Sequence, residues 1–212
     1  MVVNEGITEL VILQRALKET ALADPVFFLK KCVVTMDEHD HEHPYKPLPD
    51  KEYLWQIARA WSQNNMILVA KSRQMMLTWV MVALHVWLVL HEAKRVFFIS
   101  KKETDADALK ERAVFIMEHL PEWIRPKIRS KYCLLEVPAV NSQIVAVSQE
   151  SDALRQYTAS AILFDEMAFS DRAREIYLAA KPTVVGGGKF TGISSPNGKN
   201  FFYELCFDLA GL

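Results

Sequence analysis

One short segment constrains the fold of this chain more than any other. Residues 161–166 read Ala-Ile-Leu-Phe-Asp-Glu, an apolar run that ends in two adjacent carboxylates. A strand buried on both faces of a parallel sheet reads as a continuous apolar run, and ligands of such sheets bind beyond the carboxyl ends of the strands. We therefore predict a buried parallel strand with Asp165 and Glu166 facing a ligand. The alternative is an apolar strand that meets an acidic turn at the surface.

A second segment, further upstream, has the layout of a phosphate-binding loop. Residues 66–70, Met-Ile-Leu-Val-Ala, read as another buried strand, and a helical pattern begins after residues 71–78, Lys-Ser-Arg-Gln-Met-Met-Leu-Thr. The backbone N–H groups of such a loop and the N-terminus of the helix after it favour phosphate oxygens. The length fits the Walker A pattern G-x-x-x-x-G-K-[ST], and Thr78 occupies the position of the hydroxyl that binds magnesium.

This loop departs from the Walker A pattern at three positions. Lys71, Met76 and Leu77 replace the first glycine, the second glycine and the lysine. Leucine cannot donate to phosphate, so Lys71, with its long and flexible stem, is the candidate for the missing lysine. Methionine is sterically restricted where glycine adopts positive φ, and we expect the loop around Met75 and Met76 to be wider or differently folded.

Three short motifs follow one another in a fixed order along the chain. They are Ser72-Arg73-Gln74 in the loop, Phe164-Asp165-Glu166 on the later strand, and Ser-Ser-Pro-Asn-Gly at 194–198. Together they resemble the ATPase domain of bacteriophage large terminases, which are DNA-packaging motors. The resemblance covers about residues 50–212. It implies a P-loop NTPase of the RecA/ASCE-like kind, that is, an α/β fold with a mainly parallel sheet flanked by helices.

The two carboxylates that end this Walker B strand differ in their expected roles. We assign Asp165, together with the Thr78 hydroxyl, to Mg²⁺, and Glu166 to the attacking water, which it orients and deprotonates. The resemblance implies that the whole loop binds ATP, with Lys71 acting on the β- and γ-phosphates. The loop residues are Lys71, Ser72, Arg73, Gln74, Met75, Met76, Leu77 and Thr78.

Two arginines are candidates for stabilising charge on the transferred phosphoryl group, because a guanidinium can bind such a group bidentately. Arg73 lies in the loop, and Arg155 precedes the Walker B strand, where the resembling family carries an arginine implicated as a finger. A surface ion pair is the alternative for either residue. Ser194, Ser195 and Asn197 resemble the coupling motif that senses γ-phosphate, although Pro-Asn-Gly is also an ordinary turn.

The composition indicates a soluble globular protein. Half of the 212 residues are hydrophobic (50%), which suffices for one sizeable α/β core. A net charge of −1 argues against a general nucleic-acid coat. Cys32, Cys133 and Cys206 lack the spacing of a disulfide framework or a zinc site and indicate a reducing compartment. The most apolar stretch, 79–90, is too short to span a bilayer.

We predict a helical N-terminal segment and linker over residues 1–50 and a P-loop ATPase core over 51–212. The linker carries the tract His39–His43, which we interpret as exposed and polar in preference to a metal site. On the helix before the loop, Tyr53, Trp55 and Gln56 are candidates for contact with adenine, and a core-facing aromatic pair is the alternative. Further helices are expected at 8–34, 51–63, 103–119 and 171–180, with a loop helix that ends near 91. Strands are expected at 66–70, 95–100, 134–137, 143–147, 161–165 and 189–194.

The resemblance implies ATP hydrolysis, dependent on Mg²⁺, that powers translocation of double-stranded viral DNA into a procapsid. The implied partners are DNA, a portal protein, a small terminase subunit and further copies in a homo-oligomeric ring, in the host cytoplasm and without a membrane. Because the sequence ends soon after the coupling motif, we expect no nuclease activity from it. The alternatives are a helicase-like ATPase stimulated by nucleic acid, and a degenerate nucleotide-fold scaffold that does not hydrolyse.

Overall fold

The chain folds around a seven-stranded, mainly parallel sheet with helices on both faces. A computed structural model describes residues 2–37, 39–91 and 93–207, without the side chains of residues 2–8, 154 and 155. The helices are α1 (Val2–Ala23), α2 (Pro25–Cys32), α3 (Glu52–Gln63), α4 (Leu77–Val89), α5 (Glu103–Glu118), α6 (Ala153–Gln156), α7 (Ala173–Val185) and α8 (Phe201–Phe207). The strands are β1 (Val34–Met36), β2 (Tyr45–Pro47), β3 (Met66–Ala70), β4 (Arg95–Ser100), β5 (Arg129–Lys131), β6 (Leu134–Val137), β7 (Ser142–Ser148), β8 (Ala161–Asp165) and β9 (Lys189–Ser194).

The strand order brings three segments of the predicted site to one edge of the sheet. The order is β3-β9-β8-β4-β7-β6-β5, in which the first five strands are parallel and the last two are antiparallel additions. β9 lies between β3, which leads into the loop, and β8, which carries the two carboxylates. Because the carboxyl ends of parallel strands share an edge, the segments after β3, β8 and β9 meet there. The predicted α/β fold is confirmed.

Alternate residues of the central strands enter two different apolar layers. In β8, Ala161 and Leu163 belong to the layer formed with α2 to α5, whereas Ile162 and Phe164 belong to the layer under α7 and α8. This alternation is the two-residue period of a strand that is covered on both faces. All four side chains are fully buried, and burial contributes about 1.5–3 kcal/mol for each large one.

Helix α4 is buried on all sides, which fixes the position of the loop at its N-terminus. α2, α3 and α5 pack against it. Trp87 of α4 donates through Nε1 to the carbonyl of Ala21 (2.9 Å) and so ties the end of α1 to α4. In the part of the chain that the structure describes, no helix is both long and apolar enough to cross a bilayer.

Five strands lie where the apolar runs predicted them, at 66–70, 95–100, 134–137, 161–165 and 189–194. The expected edge hairpin is formed by β6 and β7, with Asn141 at its turn in the left-handed conformation (φ 51°). The predicted helices at 51–63 and 103–119 correspond to α3 and α5 within one or two residues.

Two segments outside the predicted strands also contain strands. The basic segment before Cys133 contains β5, a short exposed strand that pairs with β6 at the sheet edge. The linker after α2 contains a two-stranded ribbon, β1 with β2, and Lys46 Nζ joins the carboxylates of Asp37 (2.8 Å) and Asp40 (2.8 Å) there. Partners along the chain stabilise both segments, so the local composition of either one does not reveal a strand.

Two helices near the end of the described chain also differ from the prediction. α7 continues past the expected end at 180 and through Pro182, because a proline in the last turn removes only one N–H donor. The sequence pattern does not predict α8. Its start is capped by Asn200, whose Oδ1 accepts from the backbone N–H of Tyr203 (3.1 Å).

A buried histidine joins α4 to the sheet. His85 is fully buried, and its Nδ1–H donates to the carbonyl of Met81 (2.7 Å). Its Nε2 lies 3.5 Å from Oγ1 of Thr191, which accepts from Nε1 of Trp61 (2.9 Å). Burial disfavours the imidazolium and lowers the pKa of His85 to about 4. The imidazole is therefore neutral in the folded protein.

We expect the free energy of unfolding to fall as the pH drops from about 6.5 to about 4, because the unfolded chain protonates His85 and the folded chain does not. The contribution is fully present above pH 6.5, and its loss amounts to at most about 3 kcal/mol. Urea unfolding across this pH range, for the parent and for His85→Gln, measures it. The variant should lack this part of the pH dependence, whereas His41→Gln, at an exposed position, should keep it. Parallel profiles for the parent and His85→Gln would contradict the assignment.

Candidate functional site

The loop between β3 and α4 keeps a left-handed turn although it contains no glycine. Gln74 has φ of 61° and Met76 has φ of 57°, in the region that glycine favours. Met76 therefore adopts the left-handed conformation itself, although we expected methionine to be restricted there. The side chains of Met75 and Met76 are half-buried and pack against the core around α4. This packing helps to offset about 1–2 kcal/mol of backbone strain for each left-handed residue.

The loop presents its lysine from an unusual position. Leu77, where the Walker A lysine would stand, is an apolar residue buried in the core (3% exposed). Lys71 begins the loop, and its backbone N–H donates to the carbonyl of Ser194 (2.9 Å). Its side chain is only 9% exposed and reaches Glu166, with 2.7 Å between Nζ and Oε1. The structure thus brings the predicted lysine to the predicted base.

Glu166 is held by groups from two other strand ends. Oε1 accepts from Lys71 Nζ, while Oε2 accepts from the hydroxyl of Ser194 (3.2 Å) and from both the backbone N–H (3.1 Å) and the hydroxyl (3.0 Å) of Ser195. The backbone at Glu166 is left-handed (φ 47°), which turns the side chain away from the strand direction. Both carboxylate oxygens are therefore fixed beside the loop.

The pKa values of the two adjacent carboxylates are shifted in opposite directions. Burial raises the pKa of Glu166, but the hydrogen bonds from Lys71 and Ser195 outweigh it and hold the pKa below its ordinary value. Burial raises the pKa of Asp165 to about 6, against the positive charge of Lys71. Asp165 Oδ1 is enclosed and has no hydrogen-bond partner within the described residues. An enclosed carboxylate oxygen of this kind suits a hard cation such as Mg²⁺.

The segment after β9 is connected to the turn that follows the carboxylates. The Ser194 hydroxyl, which contacts Glu166, accepts from the backbone N–H of Ala168 (3.0 Å). The side-chain amides of Asn197 and Asn200 both donate to the carbonyl of Ala168 (3.1 and 2.7 Å). A displacement of the Glu166 carboxylate can therefore reach the end of β9 and the start of α8 through these hydrogen bonds.

Two cavities adjoin the loop. The first, of about 590 Å³, lies between the loop and the β1–β2 ribbon, and Lys71 and Thr78 are among its lining residues. The second, of about 500 Å³, is lined by Arg73, Asp165 and residues near them. Arg112 of α5 lines both. Cavities of this size accommodate ligands as large as a nucleotide.

The candidate adenine contacts on α3 have other surroundings. Trp55 is buried in the core, in agreement with the core-facing alternative. Its Nε1 donates to Asp50 (2.6 Å). Tyr53 donates through its hydroxyl to the carbonyl of Met75 (3.2 Å) and so supports the loop. Gln56 is exposed. None of these α3 side chains is among the residues that line the two cavities.

The metal-like tract His39–His43 lies in the connection between β1 and β2. Its Asp40 carboxylate is bound to Lys46. Within residues 2–37, 39–91 and 93–207, no group of three or more metal-ligating side chains converges. Cys32, Cys133 and Cys206 are free thiols.

The arginines around the site include one that sequence reasoning missed. Arg73 is exposed on the loop, and Arg155 lies in α6 with a side chain outside the described residues. The helical pattern at 103–119 puts Arg112 on the mainly apolar face with Leu109 and Ile116. That face is indeed buried, but Arg112 emerges from it at the junction of the two cavities. A single cation on an otherwise apolar helical face was the available signal.

Solved structures share this fold, whereas no known protein-family profile matches the sequence. A mutant ATPase domain of the Thermus phage P74-26 large terminase aligns with a TM-score of 0.61 and 23% identity, over 76% of this chain and 69% of that one. The bacteriophage HK97 large terminase aligns with a TM-score of 0.66 and 12% identity, over 88% of this chain and 40% of that one. The large terminase of a thermophilic bacteriophage, in complex with ADP, aligns with a TM-score of 0.52 and 14% identity, over 68% and 37%.

The chain therefore has the fold of phage large terminase ATPase domains, and the fold that the resemblance implied is confirmed. It spans less than half the length of the HK97 protein. The roles assigned to the individual site residues stay predictions.

We expect Asp165→Asn to stabilise the protein above about pH 6 by up to about 3 kcal/mol, because the raised pKa means that ionised Asp165 destabilises the fold. The gain should shrink as the pH falls from about 6 and should vanish well below 3.8, where Asp165 is protonated in both the folded and the unfolded chain. Thermal unfolding at several pH values measures it. Asp171→Asn, which changes an exposed carboxylate, is the matched control. A destabilised Asp165→Asn protein at a pH well above 6 would contradict the burial argument.

Proposed function

We propose that this chain binds ATP with Mg²⁺ and hydrolyses it, as the ATPase part of a phage large terminase that moves double-stranded DNA into a procapsid. The observation that carries the proposal is the Glu166 carboxylate, held between Lys71 of the loop and Ser195 after β9. A carboxylate fixed beside a phosphate-binding loop suits the activation of water at a γ-phosphate. The ADP complex of a terminase with this fold supports a nucleotide as the ligand.

The first step of the proposed cycle is an exchange of partners by Lys71. Its Nζ is bound to Glu166 Oε1 (2.7 Å), and the phosphates of an entering ATP compete for it. A triphosphate carries more negative charge than one carboxylate, so Lys71 moves to the phosphates. Oε1 is then free to accept a proton from water, while Ser194 and Ser195 still hold Oε2.

Asp165 and Thr78 would hold the Mg²⁺ ion. Asp165 offers an enclosed oxygen that lacks a partner within the described residues, and Thr78 lines the adjoining cavity from the first turn of α4. Oxygen ligands of these kinds suit Mg²⁺. When bound, the ion supplies positive charge beside the β- and γ-phosphates. The same charge would favour the ionised form of Asp165 against the effect of its burial.

Loss of the γ-phosphate reverses the exchange, since Lys71 can return to Glu166. The change in the Glu166 carboxylate then passes through Ser194 to Ala168, and from there to Asn197. We propose that these hydrogen bonds give Ser194, Ser195 and Asn197 the coupling role.

The proposed motor is a homo-oligomeric ring on a portal protein, supplied with DNA through a small terminase subunit in the host cytoplasm. In such a ring, Arg155 or Arg73 would act as the arginine finger that completes a site. We propose these partners from the resemblance to large terminases. The HK97 protein, which shares this fold, is longer than this chain.

We expect Mg²⁺-dependent ATP turnover per chain to rise with protein concentration, because a site completed by a neighbouring subunit is active only in the oligomer. Glu166→Ala should lower turnover by at least about 100-fold, as loss of a general base does. Lys71→Ala should lower it to a similar extent through weaker binding of the phosphates. Steady-state phosphate release over a wide range of protein concentration measures both effects.

Matched controls for these variants are Glu118→Ala and Lys18→Ala, which remove exposed charges of the same sign away from the cavities. Both controls should behave as the parent. Turnover that survives Glu166→Ala would exclude the proposed base. A parent chain that binds no nucleotide at any concentration would favour a non-hydrolysing scaffold.

We expect duplex DNA, added with the cognate portal protein, to stimulate turnover more than the same mass of single-stranded DNA. A motor that packages double-stranded DNA binds the duplex, whereas a helicase-like ATPase binds single strands. The comparison is made at one fixed salt concentration, because binding to phosphate backbones depends strongly on salt. Equal or greater stimulation by single strands would favour the helicase-like alternative.

A further inference from the structure

Arg112 is the cation at the junction of the two cavities. It lies on α5, the helix that follows β4, and it lines both the space beside Lys71 and Thr78 and the space beside Asp165 and Glu166. Arg112 is half-buried, so its guanidinium is partly removed from water. A group that approaches the loop and both carboxylates must also approach Arg112.

Within the described residues, the Arg112 guanidinium has neither an acidic partner nor a hydrogen-bond acceptor, unlike most of the other arginines. Arg59 is paired with Glu52, and Arg172 is paired with Glu150 and Glu175. A half-buried guanidinium without an anion is unfavourable unless an anion binds during function. Arg112 therefore has free donors where a phosphate would enter.

The position of Arg112 is fixed by rigid surroundings. Its guanidinium carbon lies 5.6 Å from the ring centroid of Trp79, the residue after Thr78. Such a contact holds the planar group over the ring and leaves its edge free for hydrogen bonds. Both residues stand on packed helices, α5 and α4, so the guanidinium is presented by the scaffold and not by a mobile loop.

Charge balance at the site gives Arg112 a role that no loop residue fills. Leu77 stands at the position of the Walker A lysine and carries no charge. Lys71 therefore has to bind both Glu166 and the phosphates. Arg112 lines the second cavity together with Asp165 and Glu166, so its positive charge lies beside the two carboxylates there.

We propose that Arg112 binds the terminal phosphoryl group of a nucleoside triphosphate in the same chain, with Trp79 as its support. The inference rests on the proposed function. Arg112 donates two N–H groups to γ-phosphate oxygens and stabilises the charge that grows on them during transfer. It distinguishes the triphosphate from the diphosphate, and it acts in addition to any finger that a neighbouring subunit provides.

The test is a comparison of binding and turnover for the parent and Arg112→Gln. Dissociation constants are measured with Mg²⁺ for ADP and for a slowly hydrolysed ATP analogue. We expect Arg112→Gln to weaken the analogue by about 10-fold or more and ADP by less than about 2-fold, since the lost contact is made to the γ-phosphate alone. Turnover should fall by about 100-fold or more. Arg112→Lys should restore part of it, because lysine keeps the charge but lacks the fork.

Arg125→Gln is the matched control, because Arg125 is an exposed arginine outside both cavities, with its Nε donating to the carbonyl of Leu120. It should leave both dissociation constants unchanged. The inference is overturned if Arg112→Gln leaves the ratio of the two dissociation constants as it is in the parent, whether both affinities are unchanged or both fall by the same factor. If the parent hydrolyses ATP in that case, the proposed function stands. A parent that binds neither nucleotide overturns both.

Discussion

The ion pair between Lys71 and Glu166 is the contact on which the rest of the site depends. It joins the segment after β3 to the segment after β8, although β9 lies between these strands. Strands two places apart in a sheet are separated by about 10 Å, so only two long side chains can meet across the gap. The low exposure of Lys71 strengthens its attraction to Glu166, and it also means that this ammonium cannot lose its partner without another anion taking its place.

The loop separates two requirements that the Walker A pattern combines in one set of residues. One requirement is a left-handed turn, which Met76 adopts because its side chain gains packing against α4. The other is a cation near the phosphates, which Lys71 provides from the start of the loop. Leu77 is then free to join the core. A phosphate-binding loop can therefore lack the usual glycine and lysine when neighbouring residues provide the left-handed turn and the positive charge.

Sequence reasoning predicted the parts of the structure that depend on local pattern and missed those that depend on distant partners. The apolar runs at 66–70 and 161–165 identify β3 and β8, because strands buried on both faces have no polar alternation to disguise them. β5 and the β1–β2 ribbon are short and polar, and their stability comes from pairing and from Lys46. Arg112 was missed because a helical face that reads as core can still end in a cavity.

The exposed strand β5 has a consequence for copies of this protein held side by side. It forms one edge of the sheet, and a free edge offers unpaired N–H and C=O groups to any other strand. β5 is only three residues long and carries Arg129 and Lys131. The positive charges of Arg129 and Lys131 on one copy repel the same charges on β5 of a second copy. The charges on β5 thus oppose pairing of this edge with the same edge of a neighbouring molecule when many copies are crowded together.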